Sequence, residues 1–82
     1  MPPVTVRHVR WGRNITYATK RATPAEISEV FDNAPVIRAN LRGRSATHVA
    51  IGRTDAGRRL TVAFLYVASI QTAYPITAWE RR

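Results

Sequence analysis

Cysteine is absent from this sequence, and so is any long apolar run. The first absence excludes disulfides and thiolate metal sites. The second leaves no segment near the ~20 apolar residues that a membrane-spanning helix needs. The first residues, Met-Pro-Pro-Val-Thr-Val-Arg-His, lack the apolar centre of a secretory signal. The expectation is a cytoplasmic protein with no membrane partner. Histidine is scarce, with only His8 and His48, which argues against a structural zinc site. Gly43, Gly52 and Gly57 are too scattered for a phosphate-cradling loop. Acids number five, and Glu26, Glu29 and Asp32 fall in one short stretch. That confinement argues against a two-metal nuclease centre, which needs acids converging on a pocket. Nothing in the spacing of Ser45, Ser69, His8 and His48 suggests a serine triad. No metal and no cofactor is expected.

Arginine is what the chain has in excess. Of 13 basic residues all but Lys20 are arginine, and the formal net charge is +8. The planar guanidinium fork matches phosphate oxygens in pairs, so such a surface suits nucleic acid or an acidic protein. A basic surface with no partner is the bland alternative. Clustering counts against it, because six arginines lie from Arg38 to Arg59 with Asp55 as the one acid among them. The 82 residues form a single domain, 1–82. A domain of this size buries only about 60% of its unfolded surface, so a partner chain could add stability.

Local patterns predict the order strand, helix, helix, then a meander of four strands. Residues 4–11 suit a first strand, with Val4 and Val6 on one face and Val9 and Trp11 on the other. Asn14 can cap a short helix over 15–21 that carries Lys20 and Arg21 at its end. Thr23-Pro24-Ala25-Glu26 is a helix start with a capping box, and Ile27, Val30 and Phe31 recur at helical spacing. Glu26, Glu29 and Asp32 line another side of that helix, read as a solvated face. Asn33-Ala34-Pro35 ends it. Strands are expected over 36–41, 46–54, 59–67 and 70–78. Leu60, Val62, Phe64 and Tyr66 share one face of the third, which is the most apolar and expected to be central. Pro75 points to an edge or a bulge in the last. The fold class is α+β, a mainly antiparallel sheet with helices on one face.

The chain is organised around residues 48–64. Here two strands flank Thr54-Asp55-Ala56-Gly57, with Gly57 free to take a positive φ. Val49, Ile51, Leu60, Val62 and Phe64 are expected to hold the sheet to the helices. Arg53, Arg58 and Arg59 crowd the turn. The chemistry open to such residues is arginine, histidine and phosphate chemistry. RNA carries its own nucleophile, the 2′-hydroxyl, so cleavage needs a base, an acid and charge stabilisation but no metal. His48 is the candidate acid or base by position, against the alternative of a half-exposed strand residue with no proton to move.

The chain resembles the BrnT-like toxins, small bacterial ribonucleases of type II toxin–antitoxin systems with a RelE-like fold. The likeness is carried by Trp11 with Asn14, by the capped helix Thr23-Pro24-Ala25-Glu26-Ile27-Ser28-Glu29-Val30-Phe31 with Asp32-Asn33-Ala34-Pro35 after it, by Ile76-Thr77-Ala78 near the close, and by one block between them. The most specific block is Ile51-Gly52-Arg53-Thr54-Asp55-Ala56-Gly57-Arg58-Arg59-Leu60-Thr61-Val62. The chain departs from the family where Lys20-Arg21-Ala22 replaces Arg-His-Gly and where Trp79 replaces an arginine.

The resemblance implies a metal-independent endoribonuclease that cleaves mRNA, free or on the ribosome, inhibits growth, and is neutralised by a cognate antitoxin. Arg53, His48, Arg58 and Lys20 are then the candidate catalytic residues. Arginines hold phosphate, and His48 or Lys20 moves protons. Arg42, Arg44, Arg59 and Arg21 are the candidate RNA contacts. Two other readings stay open: a non-catalytic basic module that binds nucleic acid or an acidic antitoxin partner, and a plain structural subunit.

Overall fold

The computed structural model describes residues 4–11, 22–40 and 46–80. The helix expected over 15–21, the basic turn around 42–45, and with them Lys20, Arg21, Arg42 and Arg44, lie outside the described residues. The rest is an α+β domain with a five-stranded sheet in the order β1-β5-β4-β3-β2. The strands are β1 (His8–Val9), β2 (Val36–Ala39), β3 (His48–Arg53), β4 (Arg59–Val67) and β5 (Thr72–Glu80), with helix α1 at Pro24–Asp32. Strands β2 to β5 form the expected antiparallel meander, and β1 pairs parallel with β5. The apolar strand β4 is the central one.

Helix α1 begins as its sequence dictates. Thr23 Oγ1 accepts from the Glu26 N–H at 3.1 Å, and Glu26 Oε1 accepts from the Thr23 N–H at 3.0 Å. Two of the four orphan N–H groups of the first turn are thereby satisfied, and Pro24 removes a third. Ile27 and Val30 are completely buried against the sheet. Phe31 meets Phe64 edge to face, with ring centroids 5.1 Å apart. The helix stops at Asn33, and Ala34 takes a left-handed φ of 50° before Pro35.

Strand alternation then decides which side chains form the core. Leu60, Val62 and Phe64 of β4 point to α1 and are fully buried with Ala50, Ala73 and Ala78. Ala50 pairs with Val62, and Gly52 pairs with Leu60, so β3 turns its smallest residues to the helix. Val49 and Ile51, expected in the core, face the other way and are half-buried. The reason is the closeness of α1. A Cβ on Gly52 would stand 3.1 Å from Pro35 Cβ and 3.2 Å from Val30 Cγ1. Gly52→Ala is therefore expected to lower stability by about 1–3 kcal/mol, read as a shift of the urea midpoint at constant slope.

The remaining differences are at strand ends. Of the strand expected over 4–11 only His8–Val9 is formed, although Val6 and Trp11 pack against the core from either side of it. Ile70 lies in a 3₁₀ turn, Ala68–Ile70, closed by Gln71 at φ 47°. Strand β5 accordingly starts later and runs to Glu80. Its register slips so that Ala63 pairs with Thr77 but Phe64 with Pro75. Pro75 thus sits at a bulge, where its missing donor is tolerated.

Candidate functional site

The hairpin turn between β3 and β4 is tightly specified. The Thr54 N–H donates to the Arg58 carbonyl at 2.9 Å, and the Gly57 N–H to the Thr54 carbonyl at 2.9 Å. The buried Thr54 hydroxyl accepts from the Arg58 N–H at 3.1 Å. Gly57 takes a φ of 87°, where an L side chain would be strained. This turn brings Arg53 and Arg59 directly opposite each other as the last rung of the ladder.

Neighbouring arginines at this turn have opposite surroundings. Arg58 faces α1. Its Nη1 lies 3.0 Å from Glu26 Oε2, and its Nε 3.1 Å from Glu80 Oε1. These pairs tie the start of α1 to the sheet through β4 and β5. The Thr23 N–H, and after it the Arg58 guanidinium, hold the Glu26 carboxyl below the usual glutamate range. Pairing with Glu26, then Glu80, raises the Arg58 guanidinium. A depressed carboxyl contributes stability at neutral pH and loses it as pH falls through the lowered folded value. Wild type should therefore lose denaturant resistance on acidification more steeply than Glu26→Gln, with the two curves converging at acid pH.

Arg53 and Arg59 face away from α1, and both are exposed. Among the described residues neither has a carboxylate partner. Asp55, the acid nearest in sequence, is held by the helix end instead. Its Oδ1 accepts from Asn33 Nδ2 at 3.0 Å, and its N–H donates to Glu29 Oε1 at 3.0 Å. Asn33 Nδ2 also donates to the Arg53 carbonyl at 2.9 Å. Glu26 and Glu29 thus fasten the hairpin to the helix, in place of the solvated face expected of them. An open hollow of about 540 Å³ lies between Asn33, Ala34, Gly52, Arg53, Thr54 and Asp55. A second, about 290 Å³, is lined by Ile51, Gly52, Arg53 and Arg59.

The sheet therefore sorts charge by side. Glu26, Glu29 and Asp32 belong to α1, Asp55 is bonded to it, and Glu80 pairs with core-facing Leu60. The opposite face carries Arg38, Arg53 and Arg59 and no acid among the described residues. Like charges directly opposed on a ladder repel, so the Arg53–Arg59 rung gains from any anion placed between them.

No family model, no curated protein and no solved structure matches the chain. The chemistry of the site rests on its own geometry.

His48 stands apart from this rung. It points to the α1 side, because it pairs with the buried Phe64. Its ring stacks on Phe64 at 5.8 Å and meets Tyr66 edge-on at 5.7 Å. Its Nδ1 lies 2.8 Å from the Thr47 hydroxyl. Five residues of strand, about 17 Å, and the thickness of the sheet separate it from Arg53. Of the four candidate catalytic residues the structure thus brings none of the described three together: Arg53 is on the open face, and His48 and Arg58 are on the helix side at opposite ends of the hairpin. Arg59, expected as a binding residue, is Arg53's direct neighbour.

The open face holds further residues that strand spacing alone did not single out. Val36, Ile51, Thr61 and Trp79 form one row across four strands, and Arg38, Val49, Ala63 and Thr77 the next. Trp79 and Val36 are 38% and 53% exposed. Only the cross-strand register reveals these rows. Among the described residues no helix is long and apolar enough to cross a membrane, and no three His, Asp or Glu side chains gather as a metal site.

Proposed function

We propose that this protein is the toxin of a type II toxin–antitoxin pair, a RelE-like cytoplasmic endoribonuclease that acts on mRNA without metal and is neutralised by a cognate antitoxin. The observation that carries the reading is the Arg53–Arg59 rung, on a sheet face with no acid among the described residues. Two guanidinium groups at one rung match the oxygens of a single phosphate and can stabilise the charge that grows on it during attack by the 2′-hydroxyl. The net charge of +8 would draw a polyanion to that face, and an acidic antitoxin segment would cover it by the same attraction. Incubating the pure protein with RNA in EDTA, with and without ribosomes, tests the reading. Cleavage that disappears in Arg53→Ala is the expected result, and intact RNA at every protein concentration would exclude a ribonuclease.

A second reading, binding without cleavage, is favoured by the position of His48 on the other face from Arg53. It calls for salt-sensitive RNA binding with no arrest of growth on expression. Growth of cells expressing wild type, Arg53→Ala and His48→Ala separates the two. A toxin whose chemistry needs His48 loses its effect in both variants. Arrest by His48→Ala but not by Arg53→Ala assigns the proton transfers to another group.

A further inference from the structure

The indole of Trp79 lies on the open face, one strand from the arginine rung. Trp79 pairs with Thr61, and Arg59 is two residues before Thr61 on the same face of β4. Residues so related are diagonal neighbours about 7–8 Å apart, within reach of aromatic and long side chains. Trp79 is 38% exposed although its strand is paired with β4 at this position. Its row continues through the buried Thr61 and the half-buried Ile51 to the exposed Val36, so a flat, mostly apolar row runs beside the Arg53–Arg59 row. Arg38 belongs to the row beyond, opposite Val49, four residues along β3 from the Arg53 position. That offset is about 13 Å, so Arg38 extends the basic surface along the face beyond the rung.

We infer that this face is a reader of unpaired RNA, with a base stacked on Trp79 while the adjacent phosphate is held by Arg59 and Arg53. The inference rests on the RNA-directed reading above and names the form of the substrate. A phosphate at the rung leaves its attached nucleoside within reach of Trp79, and bases present their faces to a side chain only when they are not paired within a duplex. Arg38 would meet a second phosphate further along the strand. The pattern of guanidinium, apolar row and guanidinium suits a chain that alternates charged and flat aromatic groups. An acidic peptide would meet the arginines equally well, but its carboxylates offer no flat group to stack on the indole.

The test uses the full chain and a labelled 2′-O-methyl oligoribonucleotide, which has no 2′-hydroxyl to attack and so reports binding alone. Trp79→Ala should weaken binding about five- to hundredfold, the effect of removing one stacked base. Trp79→Phe should retain most of the affinity. The dependence of log K on log salt should keep its slope in Trp79→Ala, because every arginine still meets its phosphate, and become shallower in Arg53→Ala. In a Trp11→Phe background, the emission of Trp79 should be quenched by the single strand and far less by the same sequence annealed to its complement. Trp79→Ala binding as tightly as wild type would overturn the inference and leave the RNA-directed reading standing if Arg53→Ala still binds weakly. Duplex binding as tight as single-strand binding would also overturn it, as would a dimer of this chain that buries Trp79. No binding of RNA by wild type would remove the inference together with the reading beneath it.

Discussion

Arg59→Glu should make the protein more stable and weaken the proposed binding of RNA more than tenfold. In the wild type Arg59 stands directly opposite Arg53, an arrangement that costs stability and that no carboxylate among the described residues offsets. Placing Glu at 59 converts a repulsive rung into an attractive one. Exposed cross-strand pairs are worth tenths of a kcal/mol, so a gain of about 0.5 kcal/mol is expected. On the proposed reading the same change removes a phosphate contact and introduces a charge of the wrong sign. Affinity for single-stranded RNA should fall more than tenfold, with the salt slope shallower by about 0.7 for each phosphate no longer neutralised. Arg58→Ala is the contrast. Arg58 is engaged with Glu26 and Glu80 on the helix side. Its removal should lower the unfolding midpoint and leave the salt slope of RNA binding unchanged. If Arg58→Ala instead abolishes cleavage at full stability, its candidate role in catalysis stands. If Arg59→Glu binds RNA like wild type, the rung is not the phosphate site.

Phe64→Ala should cost the fold about 3–5 kcal/mol, the range for truncating a fully buried aromatic. Phe64 is completely buried at the middle of the central strand. It meets the edge of Phe31 from α1 and lies under the ring of His48. One side chain thus joins the helix, the sheet and the histidine. Total stability for a domain of this length is roughly 4–12 kcal/mol at 0.05–0.15 kcal/mol per residue, so the loss is a large fraction of it. The thermal midpoint should fall by more than about 12 °C. A midpoint within a few degrees of wild type would mean that Phe64 is not the centre of the core.

The helix and the hairpin were legible because each is specified by neighbours in sequence. Thr23, Pro24 and Glu26 set the start of α1 through bonds three residues apart, and Gly57 permits the turn that nothing bulkier would. The alternation of Leu60, Val62, Phe64 and Tyr66 identified the core face of β4. In β3 residue size misleads about the core face for a physical reason. Val49 and Ile51 are its larger apolar residues, and apolar size points to the core. The close approach of Val30 and Pro35 leaves room only for Ala50 and Gly52, and that approach is a distance between segments some twenty residues apart.

The candidate site divides in the same way. An excess of arginine, its concentration from Arg38 to Arg59 and its separation from Glu26, Glu29 and Asp32 are written in the residue order. The residue order equally requires that Arg53, Arg58 and Arg59 lie near one turn. Which of them faces an anion depends on packing. The β3–β4 register opposes Arg53 to Arg59 on the face away from α1, and the capping glutamate of α1 takes up Arg58 on the other. The same register sets His48 on the helix side, far from Arg53, and the β4–β5 register brings Trp79 beside Arg59 from a strand some twenty residues on. Local bonding can specify a turn and a cap, but the face a strand turns to solvent is settled only when a second layer packs against the other.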